Sequence, residues 1–499
     1  MGILNLDEGL RDALKLAERK ERWDLLESQE KATKLMKKVI HGDISLGAVQ
    51  GPPGTGKTSV VEAFARDELS DFITRTEDEI IVYMAPTNNL VYEAFRRISA
   101  QLIRAGYDIR DILRTVRVYG SKIKVKNDLK VENGKIYSKD EINGLTGQID
   151  NDVRIVFATE FQRISNKLEV RPEKIHIVAD EASKSPYFRV FLPLAEKIAR
   201  NPEEYYPYSL LVLGDPQQAI TVPEEFKDMN VPLLMKLTEK ILREHNLKKD
   251  HWVMLDTTFR MPRPSENPIS HGFYSGRLHA YYTSRERMAM IRDAILDNID
   301  RITGWLDRIG INVSSGQVRS IINGIEEAAS SNTPIIVVET RPFRSGDTFD
   351  GERVQTAFIV TSIFQLASHF SGYDFTVTTT APYCDIVDAV MFRFLRRFGK
   401  SIRRPRAATV QSIIGGESDI IIATLGKEWA LNEVHYYPSE DIETIYKREP
   451  ELLNVQLSRH RSTMVIIGNT DKLTSLREKR IRRTVEKLKE MDGKGAIFI

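Results

Sequence analysis

A glycine-rich stretch near the start of the chain ends in lysine and threonine. Residues 51–58 read Gly-Pro-Pro-Gly-Thr-Gly-Lys-Thr and match the pattern G-x-x-x-x-G-K-[ST]. The apolar segment LGAVQ before them predicts a strand, and TSVVEAFARDEL after them predicts a helix. In that context backbone N–H groups and the helix N-terminus surround the phosphates of a nucleoside triphosphate. A chance glycine turn is the alternative, and the flanking strand and helix disfavour it.

Each residue of this loop has an expected task. Lys57 is predicted to reach the β- and γ-phosphate oxygens, and the Thr58 hydroxyl to hold Mg²⁺. The cofactors predicted from the loop are therefore ATP and Mg²⁺. The nucleotide-binding set is the whole loop with the residue that follows it: Gly51, Pro52, Pro53, Gly54, Thr55, Gly56, Lys57, Thr58 and Ser59.

Two acidic residues follow a later predicted strand, in the segment HIVADEAS. Asp180 is predicted to hold Mg²⁺ through water, and Glu181 to polarise the water that attacks the γ-phosphate. The alternative is a pair of carboxylates that opens a helix, where negative charge is favoured. The phosphate loop earlier in the chain favours the catalytic interpretation.

The next predicted strand ends in VLGDPQQ, which places Asp215 and Gln218 at its carboxyl end. The amide of Gln218 is a candidate sensor of the γ-phosphate, because an amide does not compete as a base. An ordinary Asp-Pro turn is the alternative, and these residues taken alone favour it.

Two arginines lie far from the loop in sequence, Arg260 in LDTTFRMPRP and Arg459 in NVQLSRHRSTM. If the two halves of the chain face each other, both guanidinium groups can reach the γ-phosphate as arginine fingers. A surface salt bridge is the alternative for each of them.

Apolar, β-branched strands alternate with helical segments in both halves of the chain. This pattern predicts an α/β fold with two parallel sheets, whose ligands lie at the carboxyl ends of the strands. The predicted strands are residues 46–50, 79–86, 154–160, 175–182 and 209–215, then 333–340, 374–382, 419–424 and 463–469.

The composition sets broad limits. The chain has 499 residues with 72 basic and 70 acidic side chains, and this balance leaves nucleic-acid binding open because such a site needs only a local basic stripe. Cys384 is the single cysteine, so no intrachain disulfide or thiolate zinc cluster can form. The sequence shows neither a signal peptide nor an apolar run long enough for a membrane span. We expect a reducing, intracellular, cytoplasmic location and no membrane partner.

The order of the motifs resembles that of superfamily 1 helicases. The series is GPPGTGKT, APTNN, DEAS, GDPQQ, FRMP, an Ile-Ile-Gly-Gly-Glu stretch and LSRHR, over about residues 25–470. It is most similar to the branch that holds the RNA-decay and tRNA- or replication-linked 5′-to-3′ helicases. LLESQEKA resembles the adenine-reading Q motif with Gln29 at the reading position, and FYSGRL resembles a segment that follows the family's Tyr-Arg-Met motif.

The resemblance implies two RecA-like domains with ATP between them and single-stranded nucleic acid across their tops. Hydroxyl, amide and backbone N–H groups can hold phosphates without reading sequence, and an aromatic ring can stack on a base. The alternative for a threonine at a strand end is helix capping. The residues carried over as strand contacts are Thr87, Asn88, Thr159, Pro382, Tyr383 and Thr424.

Three segments depart from the family pattern. Residues 411–417 read Gln-Ser-Ile-Ile-Gly-Gly-Glu where the family has Asp-x-Phe-Gln-Gly-x-Glu, and Glu417 is still predicted to contact ATP or a ribose. Phe259 stands where the family often has tyrosine, and TTTAPY differs from Ile-Thr-Pro-Tyr.

The predicted domains follow the motifs. The first RecA-like domain spans 25–229 with a small β-rich hairpin insertion at about 118–152, and the second spans 230–470 with a helical insertion at about 282–331. Residues 1–24 are a predicted helical extension, and 471–499 a basic helix and tail. The insertion lysines Lys122, Lys124, Lys126 and Lys130 either steer a duplex or cover a solvated hairpin.

The predicted function is that of an ATP-dependent helicase, a monomer that moves along single-stranded DNA or RNA 5′ to 3′ and opens duplex junctions. The alternative is an ATP-driven clamp or remodelling subunit with little unwinding. A P-loop kinase or single-ring ATPase explains neither the second α/β half nor the two distant arginines. The choice between DNA and RNA stays open, because no motif here fixes a contact to the 2′ position.

Overall fold

The computed structural model of the chain contains two compact α/β units. One comprises Met1–Pro52 and Gly56–Leu255, and the other comprises Pro53–Thr55 and Asp256–Ile499. The residues that the structure describes are 4–19, 24–74, 78–131, 134–169, 172–194, 208–218, 231–340, 351–413, 416–426, 445–446 and 449–499.

A seven-stranded sheet forms the centre of the first unit, and all its neighbouring strands run parallel. Its strands are apolar on both faces because helices pack on both sides, as is usual for parallel sheets. In spatial order the strands are Trp252–Met254, Leu46–Gln50, Ser209–Gly214, Lys174–Ala179, Glu79–Ala85, Ile155–Thr159 and Val116–Tyr119.

The longer helices of the first unit bury one apolar face each. In Glu27–Ile40, for example, Leu35, Met36 and Val39 recur at helical spacing and are at most 4% exposed. The α-helices are Leu6–Glu18, Glu27–Ile40, Lys57–Phe64, Ser70–Thr74, Asn88–Arg104, Ile109–Thr115, Lys139–Asn143, Leu234–Glu244 and Lys248–His251, with a π-helical segment at Ala65–Leu69. Short 3-10 turns are Gly144–Thr146, Ile164–Lys167, Tyr187–Val190, Leu192–Leu194 and Pro216–Gln218.

The second unit is built on a six-stranded sheet, again with parallel neighbours throughout. Its strands in spatial order are Arg406–Thr409, Val377–Ala381, Ser418–Thr424, His460–Gly468, Ile335–Glu339 and Ala496–Phe498. A two-stranded parallel pair, Thr257–Thr258 with His279–Ala280, lies outside this sheet.

Helices cover the second sheet. Glu352–Ser371 is buried at every residue from 353 to 368 except Gln355, which makes it the central helix of this unit. The helices are Asn267–Phe273, Ser284–Leu296, Ile299–Arg308, Gly316–Ser331, Glu352–Ser371, Cys384–Phe398, Glu451–Leu457, Thr470–Thr474 and Lys479–Glu490. Among the described helices, none is both long and apolar enough to cross a bilayer.

The prediction of two parallel-sheet α/β units is confirmed, and each sheet is that of a RecA-like domain. The contact boundary differs from the predicted division at 229/230, which falls in a stretch outside the described residues. Residues 231–255 belong to the first unit, because the strand Trp252–Met254 pairs with Leu46–Gln50. A strand of three residues is too short to show a clear periodicity in sequence.

The predicted insertions and extensions correspond to the following elements. The 118–152 segment begins inside the sheet strand Val116–Tyr119 and holds the antiparallel pair Leu129–Lys130 and Ile136–Tyr137. Its Ile123–Lys124 pairs instead with Leu4–Asn5 ahead of the first helix. Residues 471–499 also enter the fold, because Ala496–Phe498 pairs with Ile335–Glu339 at the edge of the second sheet.

Candidate nucleotide site and strand-binding edges

The glycine-rich loop has a backbone that only glycine adopts without strain. Gly54 and Gly56 have φ values of +72° and +78°. A Cβ on Gly56 would also lie 2.7 Å from Gln29 Nε2. The Gly51 N–H donates to the Gly214 carbonyl at 2.8 Å, which ties the loop to the neighbouring strand. The loop therefore fits a backbone cradle for phosphate groups.

Lys57 begins the helix that follows the loop, and its ammonium group lies between two carboxylates. Lys57 Nζ is 3.0 Å from Asp180 Oδ1 and 2.9 Å from Glu181 Oε1. Burial acts to lower the pKa of Lys57, but the two carboxylates outweigh it and raise that pKa above its usual value. Lys57 lowers the pKa of Glu181 to about 2 against the opposing effect of burial, and Lys184 assists from 3.5 Å.

Asp180 is held in place by two further hydrogen bonds. Tyr83 donates from its hydroxyl to Asp180 Oδ2 at 2.9 Å, and the Glu181 N–H donates to Asp180 Oδ1 at 2.8 Å. Burial, with Asp180 next, raises the pKa of Tyr83 well above its usual value, so this tyrosine stays a donor. Glu181 itself has a φ of +52°, a strained value for a residue with a side chain. The sequence analysis did not find Tyr83, because its partner is 97 positions away.

The donor set suits a magnesium–nucleotide complex. Thr58 is exposed in the first turn of its helix, and Asp180 is 15% exposed. Within the described parts of the chain, no cluster of three or more His, Cys, Asp or Glu side chains is arranged to hold a metal. Thr58 and Asp180, together with phosphate oxygens and water, remain the predicted ligands of Mg²⁺, in keeping with the oxygen ligands this ion takes.

Gln218 belongs to a buried amide network. Asp215 is 3% exposed and accepts from Gln218 Nε2 at 2.8 Å and from Gln50 Nε2 at 3.0 Å. Trp252 Nε1 donates in turn to Gln50 Oε1 at 3.3 Å. The Asp-Pro turn of the alternative interpretation is present as the 3-10 turn Pro216–Gln218, and Asp215 orients the Gln218 amide within it. Its role as a γ-phosphate sensor stays a prediction.

Gln29 lies at the start of the helix Glu27–Ile40 and is 5% exposed. Its Oε1 accepts from the Leu26 N–H at 3.0 Å, and its Nε2 faces the space beside Gly56. The structure thus places Gln29 next to the phosphate loop, while its reading of adenine stays a prediction.

In the second unit, Arg260 and Glu417 form an ion pair. Arg260 Nε lies 2.9 Å from Glu417 Oε2, and Arg461 pairs with the other oxygen of Glu417. Burial acts to raise the pKa of Glu417, but Arg461 and Arg260 outweigh it and hold that pKa below its usual value. Residues 414–415 of the divergent 411–417 motif lie outside the described residues. The two arginines would compete with ATP for the Glu417 carboxylate. The contact of Glu417 with ATP or a ribose therefore stays a prediction.

The loop residues Pro53–Thr55 belong to this second unit. Thr258 donates from its hydroxyl to the Pro53 carbonyl at 2.8 Å, and a Cβ on Gly54 would lie 2.5 Å from Arg260 Cβ. The other predicted finger, Arg459, is 2% exposed, and its Nε donates to the Val455 carbonyl at 3.2 Å. Burial removes the surface salt bridge as an explanation for Arg459, while the finger role of both arginines stays a prediction.

The predicted strand contacts of the first unit share one sheet edge, because Ala85 and Thr159 are aligned across paired strands. Thr87 accepts from the Leu90 N–H at 3.4 Å and caps the helix that follows, as the alternative interpretation holds. Asn88 is 5% exposed and exchanges hydrogen bonds with Ser121, and Thr159 is 4% exposed. Only Thr87 of these three is exposed in this conformation.

An aromatic side chain that the sequence analysis missed lies beside them. Phe161 follows Thr159 by two positions and is 57% exposed. The Arg189 guanidinium lies 4.5 Å from the centroid of the Phe161 ring, and Arg189 Nη1 is 2.8 Å from Glu160 Oε1. Because Arg189 is itself buried, the ring is supported from behind by a fixed ion pair. A lone phenylalanine in TEFQR carries no sequence signal of this arrangement.

The predicted contacts of the second unit are less accessible. Thr424 is 0% exposed, and its hydroxyl has no hydrogen-bond partner among the described residues. Pro382 is buried, while Tyr383 is partly exposed at the N-cap position of Cys384–Phe398. Gln456 donates to the carbonyls of Thr380 and Thr424, which joins the ends of two strands. Contact of these residues with a strand stays a prediction.

Comparisons with known proteins agree with this arrangement. A family model described as an AAA domain matches residues 24–142. ECM32 of Saccharomyces cerevisiae, named as a candidate ATP-dependent RNA helicase, is 25% identical over 269 residues, which are 49% of this chain and 22% of that protein. The chain thus spans about a fifth of the length of that relative. Taken with the order of the motifs and the two parallel sheets, these matches support assignment of the chain to superfamily 1 of the helicases.

Proposed function

We propose that the protein is a nucleic-acid-dependent ATPase that moves along single strands and unwinds duplexes, 5′ to 3′ by its resemblance to that branch. The observation that carries the proposal is the contact of Lys57 Nζ with both Asp180 and Glu181, at 3.0 Å and 2.9 Å. It brings the phosphate-binding lysine, a magnesium ligand and the general base together within one unit.

The same contact supports a simple account of turnover. Phosphate oxygens of ATP would take Lys57 from the two carboxylates, because a triphosphate carries more charge than either of them. Since Lys57 is the main cause of the low pKa of Glu181, its withdrawal would make Glu181 a better base. Water would then attack the γ-phosphorus, its proton would pass to Glu181, and the bond to the β-phosphate oxygen would break to give ADP and phosphate.

Positive charge from the second unit would complete the site. Mg²⁺, held by Thr58 and Asp180, would neutralise charge on the β- and γ-phosphates. Arg260 and Arg459 would stabilise the charge on the transferred group, as arginine fingers do. In this account the γ-phosphate competes with Glu417 for Arg260, so the presence of ATP is communicated to residues 411–417 of the second unit.

The nucleic acid would lie along the carboxyl edges of the two sheets. Thr87, Asn88 and Thr159 line that edge in the first unit, and Pro382, Tyr383 and Thr424 line it in the second. Phe161 adds a stacking platform for a base. ATP binding and hydrolysis would alternate two conformations with different grips on the strand, which moves the protein along it. We further propose that the protein acts as a monomer in a reducing cytoplasmic compartment.

The clamp is the second candidate, and residues 411–417 favour it. This segment lacks the glutamine and aspartate of the family pattern, and its Glu417 is engaged by Arg260 and Arg461. Weak coupling between hydrolysis and movement would leave a protein that grips a strand or displaces bound proteins.

One set of measurements tests both candidates. ATP hydrolysis is measured with matched single-stranded DNA and RNA at stated salt, and strand displacement with duplexes that carry a 5′ or a 3′ tail. Stimulated hydrolysis with displacement from the 5′ tail supports the helicase. Stimulated hydrolysis without displacement from either tail supports the clamp, and hydrolysis that ignores nucleic acid contradicts both.

A further inference from the structure

A basic surface lies on the second unit. Residues 392–406, called here the basic stripe, read FRFLRRFGKSIRRPR, and no acidic residue occurs between Asp388 and Glu417. The stripe runs from the last two turns of the helix Cys384–Phe398 to the first residue of the edge strand Arg406–Thr409. Its basic side chains are Arg393, Arg396, Arg397, Lys400, Arg403, Arg404 and Arg406.

Most of this charge has no counter-charge within the protein. Arg403 pairs with Asp374, and Arg393 donates to Gln355. The remaining five side chains are exposed and form no ion pair or side-chain hydrogen bond with any described residue: Arg396, Arg397, Lys400, Arg404 and Arg406. Like charges at such short spacing repel one another, so an external polyanion would stabilise the stripe.

The C-terminal helix Lys479–Glu490 is a basic segment of the same unit in which four of the six basic side chains form ion pairs with described residues. Arg480 lies 2.9 Å from Glu478, Lys487 lies 3.0 Å from Glu490, and Lys489 lies 2.5 Å from Asp471. Acidic residues are interspersed along that helix and around it. The difference is one of degree, since five of the seven basic side chains of the stripe form no ion pair with a described residue and two of the six in this helix form none.

Apolar surface and a groove accompany the charge. Phe392 is 66% exposed and Leu395 is 39% exposed on the same helix. Beside them is a cavity of about 530 Å³ whose lining includes Phe358, Phe392 and Arg396. Asp385 and Asp388, from the first two turns of the helix, line the same cavity.

We propose that the basic stripe binds the sugar–phosphate backbone of nucleic acid, with Phe392 placed to contact a base. Six of its seven basic residues are arginines, whose planar guanidinium groups match phosphate oxygens. Charge spread along a line fits a polymer of evenly spaced phosphates better than the few carboxylates of an acidic protein segment, and an exposed aromatic beside it adds stacking.

The stripe is separate from the strand contacts already described. Tyr383 precedes the helix Cys384–Phe398, and the stripe begins at Phe392, about 14 Å along the helix axis at 1.5 Å per residue. Arg406 opens its strand and pairs with Thr378 near the start of the neighbouring strand, so the stripe lies toward the amino edge of the sheet. The inference rests on the proposed function in one respect, namely that nucleic acid is the polymer handled.

The test compares two triple variants of the full chain. One removes stripe charges, Arg396→Gln with Lys400→Gln and Arg404→Gln. The control removes equal charge from the C-terminal helix, Lys479→Gln with Arg482→Gln and Arg483→Gln. Dissociation constants for a fluorescent single-stranded oligonucleotide and a tailed duplex are measured by anisotropy over a series of salt concentrations, and thermal melting checks that both variants fold.

Loss of three phosphate contacts should reduce the slope of log affinity against log salt by about 2, and should weaken binding about tenfold or more at 0.1 M salt. The control should keep the wild-type slope. Equal slopes for the stripe variant and the wild type overturn the inference. Binding of polyglutamate is measured as well, and if the stripe variant loses that binding while the slopes are equal, the stripe is assigned to an acidic protein instead. Stimulation of wild-type ATP hydrolysis by nucleic acid is measured in parallel. If that stimulation is absent, the proposed function fails, and this result is independent of the salt slopes that test the stripe.

Discussion

Lys57 Nζ lies 2.9 Å from Glu181 Oε1, so the lysine predicted to bind phosphate and the carboxylate predicted to act as the general base form an ion pair. The pair keeps both side chains charged and leaves neither charge unpaired in a largely buried site. It also makes nucleotide entry an exchange of partners, because Lys57 must leave the carboxylates to reach phosphate oxygens.

Tyr83 is predicted to orient Asp180 as a ligand of Mg²⁺. In Tyr83→Phe the hydrogen bond to Asp180 Oδ2 is lost while the ring remains in the core. We expect the Mg²⁺ concentration that gives half-maximal ATP hydrolysis to rise about tenfold, as for other residues that orient a metal ligand. The measurement is a Mg²⁺ titration of hydrolysis at saturating ATP. An unchanged Mg²⁺ requirement would show that Asp180 needs no support from Tyr83.

Phe161 is predicted to stack on a base of the bound strand. Phe161→Ala should weaken binding of single-stranded nucleic acid by about 1–3 kcal/mol, with the salt dependence of binding unchanged because no charge is removed. Phe161→Trp is the control and should retain the affinity. If the alanine variant binds as tightly as the wild type, the platform of Phe161 and Arg189 lies outside the path of the strand.

His460 makes the stability of the second unit sensitive to acid. Burial, with Arg260 next, lowers the pKa of His460 from 6.5 to about 3, so it is neutral in the folded protein at pH 5. The unfolded chain binds a proton below pH 6.5, so stability is lost as the pH falls from about 6.5 toward 3. At pH 5 the loss is about 2 kcal/mol, from 1.36 kcal/mol per pH unit.

The variant His460→Gln tests this expectation. Melting temperatures of the wild type and the variant are compared at pH 7 and pH 5. The wild type should lose more thermal stability between the two pH values than the variant does. Parallel losses in the two proteins would show that other groups cause the acid sensitivity.

Arg459 is predicted to act on the transferred phosphate. Arg459→Ala should slow ATP hydrolysis about 10³-fold or more while nucleotide affinity changes little, because a finger contributes mainly to the transition state. Single-turnover hydrolysis and binding of a fluorescent nucleotide separate the two effects. Arg461→Ala is the matched control, because Arg461 is half exposed and pairs with Glu417. Normal hydrolysis by the Arg459 variant would contradict an active site completed by the second unit.

The local features of this protein could be predicted from its sequence. The phosphate loop, the Asp180–Glu181 pair and the two parallel sheets each follow from short patterns, because a strand, a glycine turn and a helix start are set by neighbouring residues. The partners of those residues could not be predicted. Tyr83 with Asp180, Gln50 with Asp215 and Arg260 with Glu417 join positions 97, 165 and 157 apart, and only the fold brings them together.

The sequence patterns also did not predict which side chains at the strand ends are exposed. Thr424 was expected to touch a strand, yet its side chain is fully buried, and Phe161 was not expected to and is more than half exposed. Thr424 ends one apolar strand and Phe161 lies just after another. Their different exposure arises from the neighbours that cover each strand end. The division at 255/256 was missed for a similar reason, since pairing with Leu46–Gln50 assigns Trp252–Met254 to the first unit.

The most direct test of the account is hydrolysis by Glu181→Gln. The amide keeps the shape of the side chain but cannot accept the proton of the attacking water. We predict that ATP binding is retained, that single-turnover hydrolysis falls by about 10²–10⁴-fold, and that the protein stays bound to single strands while ATP is present. Hydrolysis at the wild-type rate would contradict the assignment of Glu181 as the base, and with it the exchange of partners at Lys57.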